Sequence, residues 1–355
     1  MRRAAGVVLD ALAEPHGRTG YLGVLAPSLS DSRHAEVLEA RRATPRTVTL
    51  RLRPSRSFDG FLAGQHVPVS VEVDGVRHTR CYSPAGSEHA RSEELELSVR
   101  AHPGGLVSNH LYTQAAPGMV LGLGQATGDF VLPTPRPQRL LLLSGGSGIT
   151  PVMAMLRTLV DEGRTDPVAF LHYTPRELDH PYRQELAELA RRCRWLRVAS
   201  VATRPDGGAS DRRLKASQLR NLDPGWREAH AYVCGPPTLL TAAREIWGRA
   251  GQHGRVHSES FLPPRPPRNA GRRGRVSFAA SAVEVRASGV SLLEQAERAG
   301  LSPAHGCRMG ICRTCTTRKL SGQVRDLRSG QLSSVEPEDV QLCVSVPVGD
   351  VELDL

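Results

Sequence analysis

The chain reads as a multidomain protein: an antiparallel β-barrel, then an α/β domain built on a parallel sheet, then a smaller cysteine-bearing domain. Three observations carry this. Short alternating strands punctuated by glycines fill the first part. Continuous apolar strands alternating with helices fill the middle. A proline- and arginine-rich stretch then sets off a last segment of about 80 residues, an ordinary domain size.

The barrel comes first. TVTLRLR (47–53), VPVSVEV (67–73) and LELSV (95–99) alternate as half-buried strands do, and Gly64, Gly75, Gly86 and Gly104–Gly105 mark turns between them. At residue 139 the pattern changes. RLLLLS (139–144) is a continuous apolar run, as expected of a strand covered on both faces. A helix is predicted over 150–163, a strand over 168–173, a helix over 182–193 and strands over 196–202 and 230–235. A last helix is predicted over 237–251. Such alternation implies parallel strands joined by crossovers. LPPRPPRNAGRRGR (262–275) is a linker by composition, and RVSFAA (275–280) opens the final domain. The expected boundaries are an N-terminal extension at 1–37, the barrel at 38–136, the α/β domain at 137–262, the linker at 263–274 and the last domain at 275–355. There are no internal repeats.

Composition limits the function. Hydrophobic residues make up 39% of the 355, and no run approaches the roughly 20 apolar residues of a membrane helix. MRRAAGVVLDALAEPHG (1–17) has an arginine pair and a short apolar run, but Asp10 and Glu14 interrupt it. It reads as an N-terminal helix or a tail, not an export signal. The net charge of +10 fits a solvated arginine-rich surface, or attraction to an acidic partner or anionic ligand. With 4% aromatics and no basic helix or stacking motif, the chain is not read as binding nucleic acid.

Seven cysteines are present; Cys81, Cys193 and Cys234 are scattered. Cys307, Cys312, Cys315 and Cys343 are spaced C-x4-C-x2-C with a distant fourth, within HGCRMGICRTC (305–315) and beyond it. That is the spacing of a plant-type [2Fe–2S] centre. Two irons bridged by two sulfides need four thiolates. A tight loop supplies three, with Gly306 and Gly310 letting backbone N–H groups reach the sulfurs. A strand near the end of the chain is expected to supply Cys343. Zinc usually takes two short C-x2-4-C pairs, so it fits less well, and a disulfide framework fits less still. In an intracellular protein such a set binds a metal centre more often than it forms a disulfide framework, and a cytoplasmic location is expected.

The loop HGCRMGICRTCTTRKLSGQV resembles that of plant-type ferredoxins, which implies an α+β β-grasp ferredoxin domain over 275–355. Arg308, Met309 and Arg313 are bulky departures that bear on potential, not on the cluster. RCYS (80–83), with GQHVPV (64–69) before it and HPGGLVSNHL (102–111) after it, is similar to the flavin domain of the ferredoxin–NADP reductase superfamily. The resemblance implies that Arg80 pairs with flavin phosphates, Tyr82 stacks on the isoalloxazine and Ser83 hydrogen-bonds near N5. Gly104, Gly105 and Ser108 would open a helix facing the pyrophosphate, which favours FAD over FMN. SGGSGITP (144–151) is a glycine turn between strand and helix with Pro151 where a dinucleotide fingerprint has glycine, and it is similar to that superfamily's GGxGxTP. Gly145, Gly146, Gly148, Thr150 and Pro151 would cradle the nicotinamide cofactor. CGPPTLL (234–240) resembles the superfamily's CGP segment. It implies Cys234 beside the nicotinamide C4, with Gly235 and Pro236. SESF (258–261) resembles the segment closing the flavin site, through Glu259 and Phe261. Arg176 in YTPRE and Thr203–Arg204 in VATRPDG offer hydroxyl and cations for a 2′-phosphate, so NADPH is expected, with NADH the alternative.

In series these imply an NAD(P)H-dependent reductase passing electrons from NADPH to FAD to [2Fe–2S]. The acceptor would be a protein: an oxygenase, a cytochrome P450 or, from YLGVLAPSL (21–29), a desaturase that the chain could meet at a membrane surface. No HExxH, haem-thiolate signature or iron-binding carboxylate–histidine helix pair is present. Direct reduction of a small molecule such as a quinone, or a cluster-based redox sensor, are the alternatives.

Overall fold

In the computed structural model the described residues are 33–90, 94–204, 213–261, 266, 272–333 and 335–355. The expected N-terminal helix or tail, the 21–29 segment and most of the linker lie outside them. The chain divides into two compact units between Ser260 and Phe261.

The first unit holds two sheets. One is antiparallel: β1 (His34–Thr44), β2 (Thr47–Pro54), β3 (Val67–Val73), β4 (Val76–Tyr82), β5 (Leu95–Arg100) and β6 (Val120–Leu123), in the order β4-β3-β6-β1-β2-β5. The first and last strands of that order meet just past β4. There Pro84 bridges Leu97 and the Ala85 N–H donates to the Glu96 carbonyl at 2.9 Å, so the sheet closes on itself as a barrel. Alternate residues Val67, Val69, Val71 and Leu95, Leu97, Val99 fill the interior, as the period of two requires. β1 begins at His34, inside the stretch expected to be an extension. Helix α1 (Leu106–Gln114) follows the Gly104–Gly105 turn, where Gly104 has φ +71°.

The other sheet is parallel throughout: β7 (Leu140–Gly145), β8 (Val168–Thr174), β9 (Leu196–Ala202), β10 (His230–Cys234) and β11 (Val256–Glu259), ordered β11-β10-β7-β8-β9. Helices α2 (Ile149–Asp161), α3 (Arg183–Arg192), α4 (Ala216–Leu222) and α5 (Pro237–Arg249) make the crossovers. Leu140–Leu143 are fully buried, the outcome expected of a strand covered on both faces. The order reverses between β7 and β10, and in open parallel sheets ligands bind past the strand ends at that reversal.

Polar contacts tie the two sheets together. Arg157 on α2 reaches Glu96 (2.9 Å) and the Ala85 carbonyl (2.8 Å) in the barrel, and Glu185 (2.6 Å) on α3. The Tyr182 hydroxyl donates to Ser98 Oγ at 2.6 Å, which sits 2.7 Å from Thr49 Oγ1. Arg136 joins Glu88 to Glu162.

The second unit has β12 (Arg275–Phe278), β13 (Val283–Arg286), α6 (Leu292–Arg298), β14 (Thr316–Asp326), β15 (Leu332–Ser333), β16 (Glu338–Gln341) and β17 (Ser345–Leu353). The sheet runs β13-β12-β17-β14-β15, with β16 also on β14. The β12–β17 pair is parallel and the rest antiparallel. Ser291 caps α6 by accepting from the Glu294 N–H, and Leu292, Leu293 and Ala296 pack with Phe278 and Leu353. One helix grasped by a mixed sheet is the expected α+β arrangement. No helix among the described residues is long and apolar enough to cross a membrane.

Candidate functional site

The strand ends at the sheet reversal interlock through glycines. A Cβ on Gly148 would stand 2.2 Å from the Cys234 carbonyl oxygen and 2.8 Å from the Gly235 nitrogen. One on Gly235 would meet the Gly145 nitrogen at 2.9 Å, and one on Gly145 would meet Pro236 at 2.7 Å. The SGGSGITP turn and the CGP segment are therefore one surface, backbone against backbone. Gly146 has φ +57° and starts a tight turn, Thr150 Oγ1 donates to the Ser147 carbonyl, and Pro151 sits in the first turn of α2, where its missing N–H costs no helix bond. A cleft between the two sheets is lined by Thr47, Ser98, Arg100, Gly146, Ser147 and Thr150.

Arg100 was not singled out from sequence. Its guanidinium is half-buried, and that burial lowers its pKa, with Arg46 and Arg176 adding repulsion against the pull of Asp179. It faces Gly146 at the N-terminal end of α2, a partly desolvated cation with no ion pair to a carboxylate among the described residues.

On the barrel side, Tyr82 ends β4 partly buried, and burial raises its phenol pKa. Arg80 is half-exposed and donates to the Thr79 carbonyl at 2.7 Å. Ser83 is 2% exposed and its hydroxyl has no hydrogen-bond partner among the described residues. A buried hydroxyl without a partner is costly unless a ligand completes it. The Val67–Tyr82 register places His66 and Ser83 one step further along their two strands. His66 is fully buried, accepts from or donates to Thr127 Oγ1 at 3.1 Å, and holds Nδ1 3.6 Å from Glu259 Oε1. Glu259 Oε2 is buried and has no hydrogen-bond partner among the described residues. Glu259 in turn pairs in register with Cys234, whose thiol pKa is raised by burial and by the carboxylate. Three sequence-identified residues, Ser83, Cys234 and Glu259, thus lie along one path completed by His66. Nothing in the sequence points from His66 to a partner so distant in the chain.

Ser108 is used locally. Its hydroxyl takes the His102 N–H and donates to the Gly105 carbonyl, holding the turn that opens α1. The 173–177 and 201–204 segments lie side by side: the Thr203 N–H donates to Thr174 and the Arg204 N–H to Pro175, both at 2.8 Å. Arg176 forks onto Asp179 at 3.0 and 3.2 Å. Phe261 is the first residue of the second unit.

None of the seven cysteines, four of which lie in the second unit, forms a disulfide. The four spaced sulfurs each accept from backbone N–H groups. Cys307 Sγ takes Met309 (3.4 Å) and Cys312 (3.3 Å), Cys312 Sγ takes Cys307 (3.2 Å), Cys315 Sγ takes Cys343 (3.5 Å) and Cys343 Sγ takes Gly310 (3.2 Å). The neighbouring Cys343 side chain pulls the Cys315 thiol below its usual range. Thiolates surrounded by N–H donors are what a negatively charged cluster needs. Gly310, at φ +73°, would put a Cβ 2.7 Å from Val344. One expectation is corrected: Cys343 comes from a short 3-10 turn, Leu342–Val344, between β16 and β17, not from a strand. The turn buries Leu342, Cys343 and Val344 together and sets the Cys343 sulfur against the Gly310 N–H.

Comparison with known proteins agrees with each domain. Family models match an oxidoreductase FAD-binding domain over residues 34–132, an oxidoreductase NAD-binding domain over 142–245 and a 2Fe-2S iron-sulfur cluster binding domain over 279–348. An NADPH oxidoreductase of Mycobacterium tuberculosis is 39% identical over 326 residues, covering 90% of this chain and 83% of the relative. The glycine betaine monooxygenase reductase subunit of Pseudomonas aeruginosa is 28% identical over 319 residues, covering 83% and 87%. The structure of phthalate dioxygenase reductase superposes with a TM-score of 0.62 at 21% identity, covering 91% and 97%, a likeness of fold. The chain belongs to the ferredoxin–NADP reductase superfamily: it is an NAD(P)H oxidoreductase with FAD-binding, NAD-binding and C-terminal [2Fe–2S] domains.

Proposed function

We propose that this oxidoreductase is the reductase component of a larger system, taking electron pairs from NADPH and delivering single electrons to a separate protein acceptor in the cytoplasm. One observation carries the reading. The same chain holds a strand-end nicotinamide cradle, with Gly148 packed on Cys234, and four sulfurs, three from one loop and one from the Leu342–Val344 turn, each already receiving an N–H. A two-electron donor site and a one-electron centre belong in series. Bound flavin supplies the conversion between them.

The remaining roles fall to the chain's own residues. Arg80 is assigned to the flavin phosphates, Tyr82 to the ring face and Ser83, with its unpaired hydroxyl, to N5. The N–H groups opening α1 after Gly104 and Gly105 receive the pyrophosphate, and Ser108 fixes their turn. The N-terminus of α2 and Arg100 hold the nicotinamide cofactor's pyrophosphate. Cys234, Gly235 and Pro236 bound the nicotinamide ring, and Glu259, facing His66, fixes the polar edge of that space. Arg204 and Thr203 take the 2′-phosphate, because the Arg176 fork is occupied by Asp179.

The acceptor is a protein of the oxygenase, P450 or desaturase class. Support comes from relatives that are reductase subunits of a monooxygenase and an N-demethylase. The Cys312→Ser variant tests the order of the sites. It is expected to abolish NADPH-driven reduction of cytochrome c while dye reduction from the flavin persists. Equal loss of both, or retention of both, would overturn the reading. Comparing NADPH with NADH tests the nucleotide: equal efficiency would remove the role of Arg204.

A further inference from the structure

We infer that the exposed rim of the cluster loop at Arg313 is the docking contact for an acidic one-electron protein. The inference rests on the proposal that the acceptor is a protein.

Residues 305–318 carry three arginines and no acid. Two of them, Arg308 and Arg313, have left-handed backbones at φ +58° and +56°. That region disfavours any side chain beyond glycine, so each position calls for a reason. Arg308 has one inside the fold: its guanidinium forks Glu297 on α6 at 2.8 and 2.6 Å. Arg318 is paired with Asp339 at 3.2 Å. Arg313 is exposed, and its side chain has no hydrogen bond or ion pair among the described residues. Only its backbone is used, its carbonyl accepting from the Thr316 N–H and hydroxyl. The fold gains nothing from the guanidinium, yet the guanidinium stands at a position that glycine would occupy at no cost.

Its place gives the reason. Arg313 follows Cys312, and of the four cysteines Cys312 alone is not buried. Where the sulfurs come nearest to solvent, the adjacent charge is an unneutralised cation. The bulk charge of the chain does not explain this, because residues 275–355 hold nine Lys and Arg against ten Asp and Glu. Complementarity is therefore local: an acceptor with carboxylates around its own redox centre meets Arg313 and is brought to the Cys312 edge. Each docking passes one electron, with no atom or proton transferred. One NADPH, oxidised to NADP+ with release of a proton, supplies two dockings.

Cytochrome b5, an acidic haem protein, is the probe. Its binding to the holoprotein is measured by calorimetry at low and high salt for the parent, R313K, R313G and R313E, at equal cluster content by visible absorbance. R313E and R313G are expected to bind about tenfold more weakly at low salt, with the difference vanishing at high salt, and R313K to bind like the parent. R313G is also expected to raise the melting temperature, because it relieves the left-handed turn; this shows that the lost binding is not lost folding. R313E binding as tightly as the parent, or a loss that salt does not abolish, overturns the docking contact. If the parent itself delivers no electrons to cytochrome b5 or cytochrome c under NADPH, the protein-acceptor reading fails as well. Delivery by the parent that R313E matches confines the failure to Arg313.

Discussion

Gly148→Ala adds one methyl group where the nicotinamide cradle is tightest. Gly148 has φ −66°, so its backbone suits alanine and only space opposes the change. The new Cβ would lie 2.2 Å from the Cys234 carbonyl oxygen and 2.5 Å from its carbon. Carbon contacts normally sit at about 3.5–4.0 Å. Both neighbours are backbone in β10, so the turn must move by about 1 Å. Overpacking of this kind costs about 3 kcal/mol at the upper end of its range. For a unit of this size that lowers the melting temperature by about 6–12 °C. A 1 Å displacement at a reacting site can cost about 100-fold in rate. The assays are thermal melting and stopped-flow flavin reduction by NADPH. Gly254→Ala is the control, since a Cβ there meets nothing within 4 Å. If G148A matches G254A in both assays, the interlocked strand ends do not form the cradle.

Arg100→Ala is expected to raise KM for NADPH about 10–100-fold with flavin content unchanged, as befits loss of a charge-assisted contact; an unchanged KM removes Arg100 from the site. Gly310→Ala, which combines a positive φ with contact on Val344, is expected to lower iron content and the cluster absorbance while flavin stays bound; full iron loading would contradict the loop geometry. His180 bears on acid stability. Burial pushes it down to about 4, with Arg183 adding repulsion, and the His172 ring 4.5 Å away is pushed well below its usual range. The unfolded chain takes up a proton at about 6.5 that the folded ring refuses. Stability therefore falls as pH drops from about 6.5 to about 4, by about 3 kcal/mol for His180. His180→Phe is expected to flatten that slope in denaturant titrations at pH 4 to 7, and an unaltered slope would exclude the residue.

Much of the fold is legible in sequence where the pattern is pure. VPVSVEV and LRVASVA match β3 and β9 residue for residue, and in β3 the alternating burial leaves little choice. β1 was not legible. Glu36, Glu39, Arg41 and Arg42 crowd it, and register shifts at Val37/Glu39 and Arg42/Thr44 break its period of two. The site was legible wherever a short motif carries its own geometry, as in the glycine turn and the cysteine loop. It was not legible where two distant residues meet. His66 gains meaning from Glu259, and Arg100 from Gly146, only after the strands are laid side by side. Cys343 lies on a single 3-10 turn between two strands, a feature that a linear sequence does not reveal.

The central claim is that one chain holds flavin and cluster in series behind a nicotinamide site. An anaerobic titration of the purified holoprotein with NADPH tests it most directly. Both the flavin and the cluster absorbance bands are expected to bleach, with an end point near about 1.5 equivalents, the flavin taking two electrons and the cluster one. An end point near one equivalent, with the cluster bands unchanged, would contradict it.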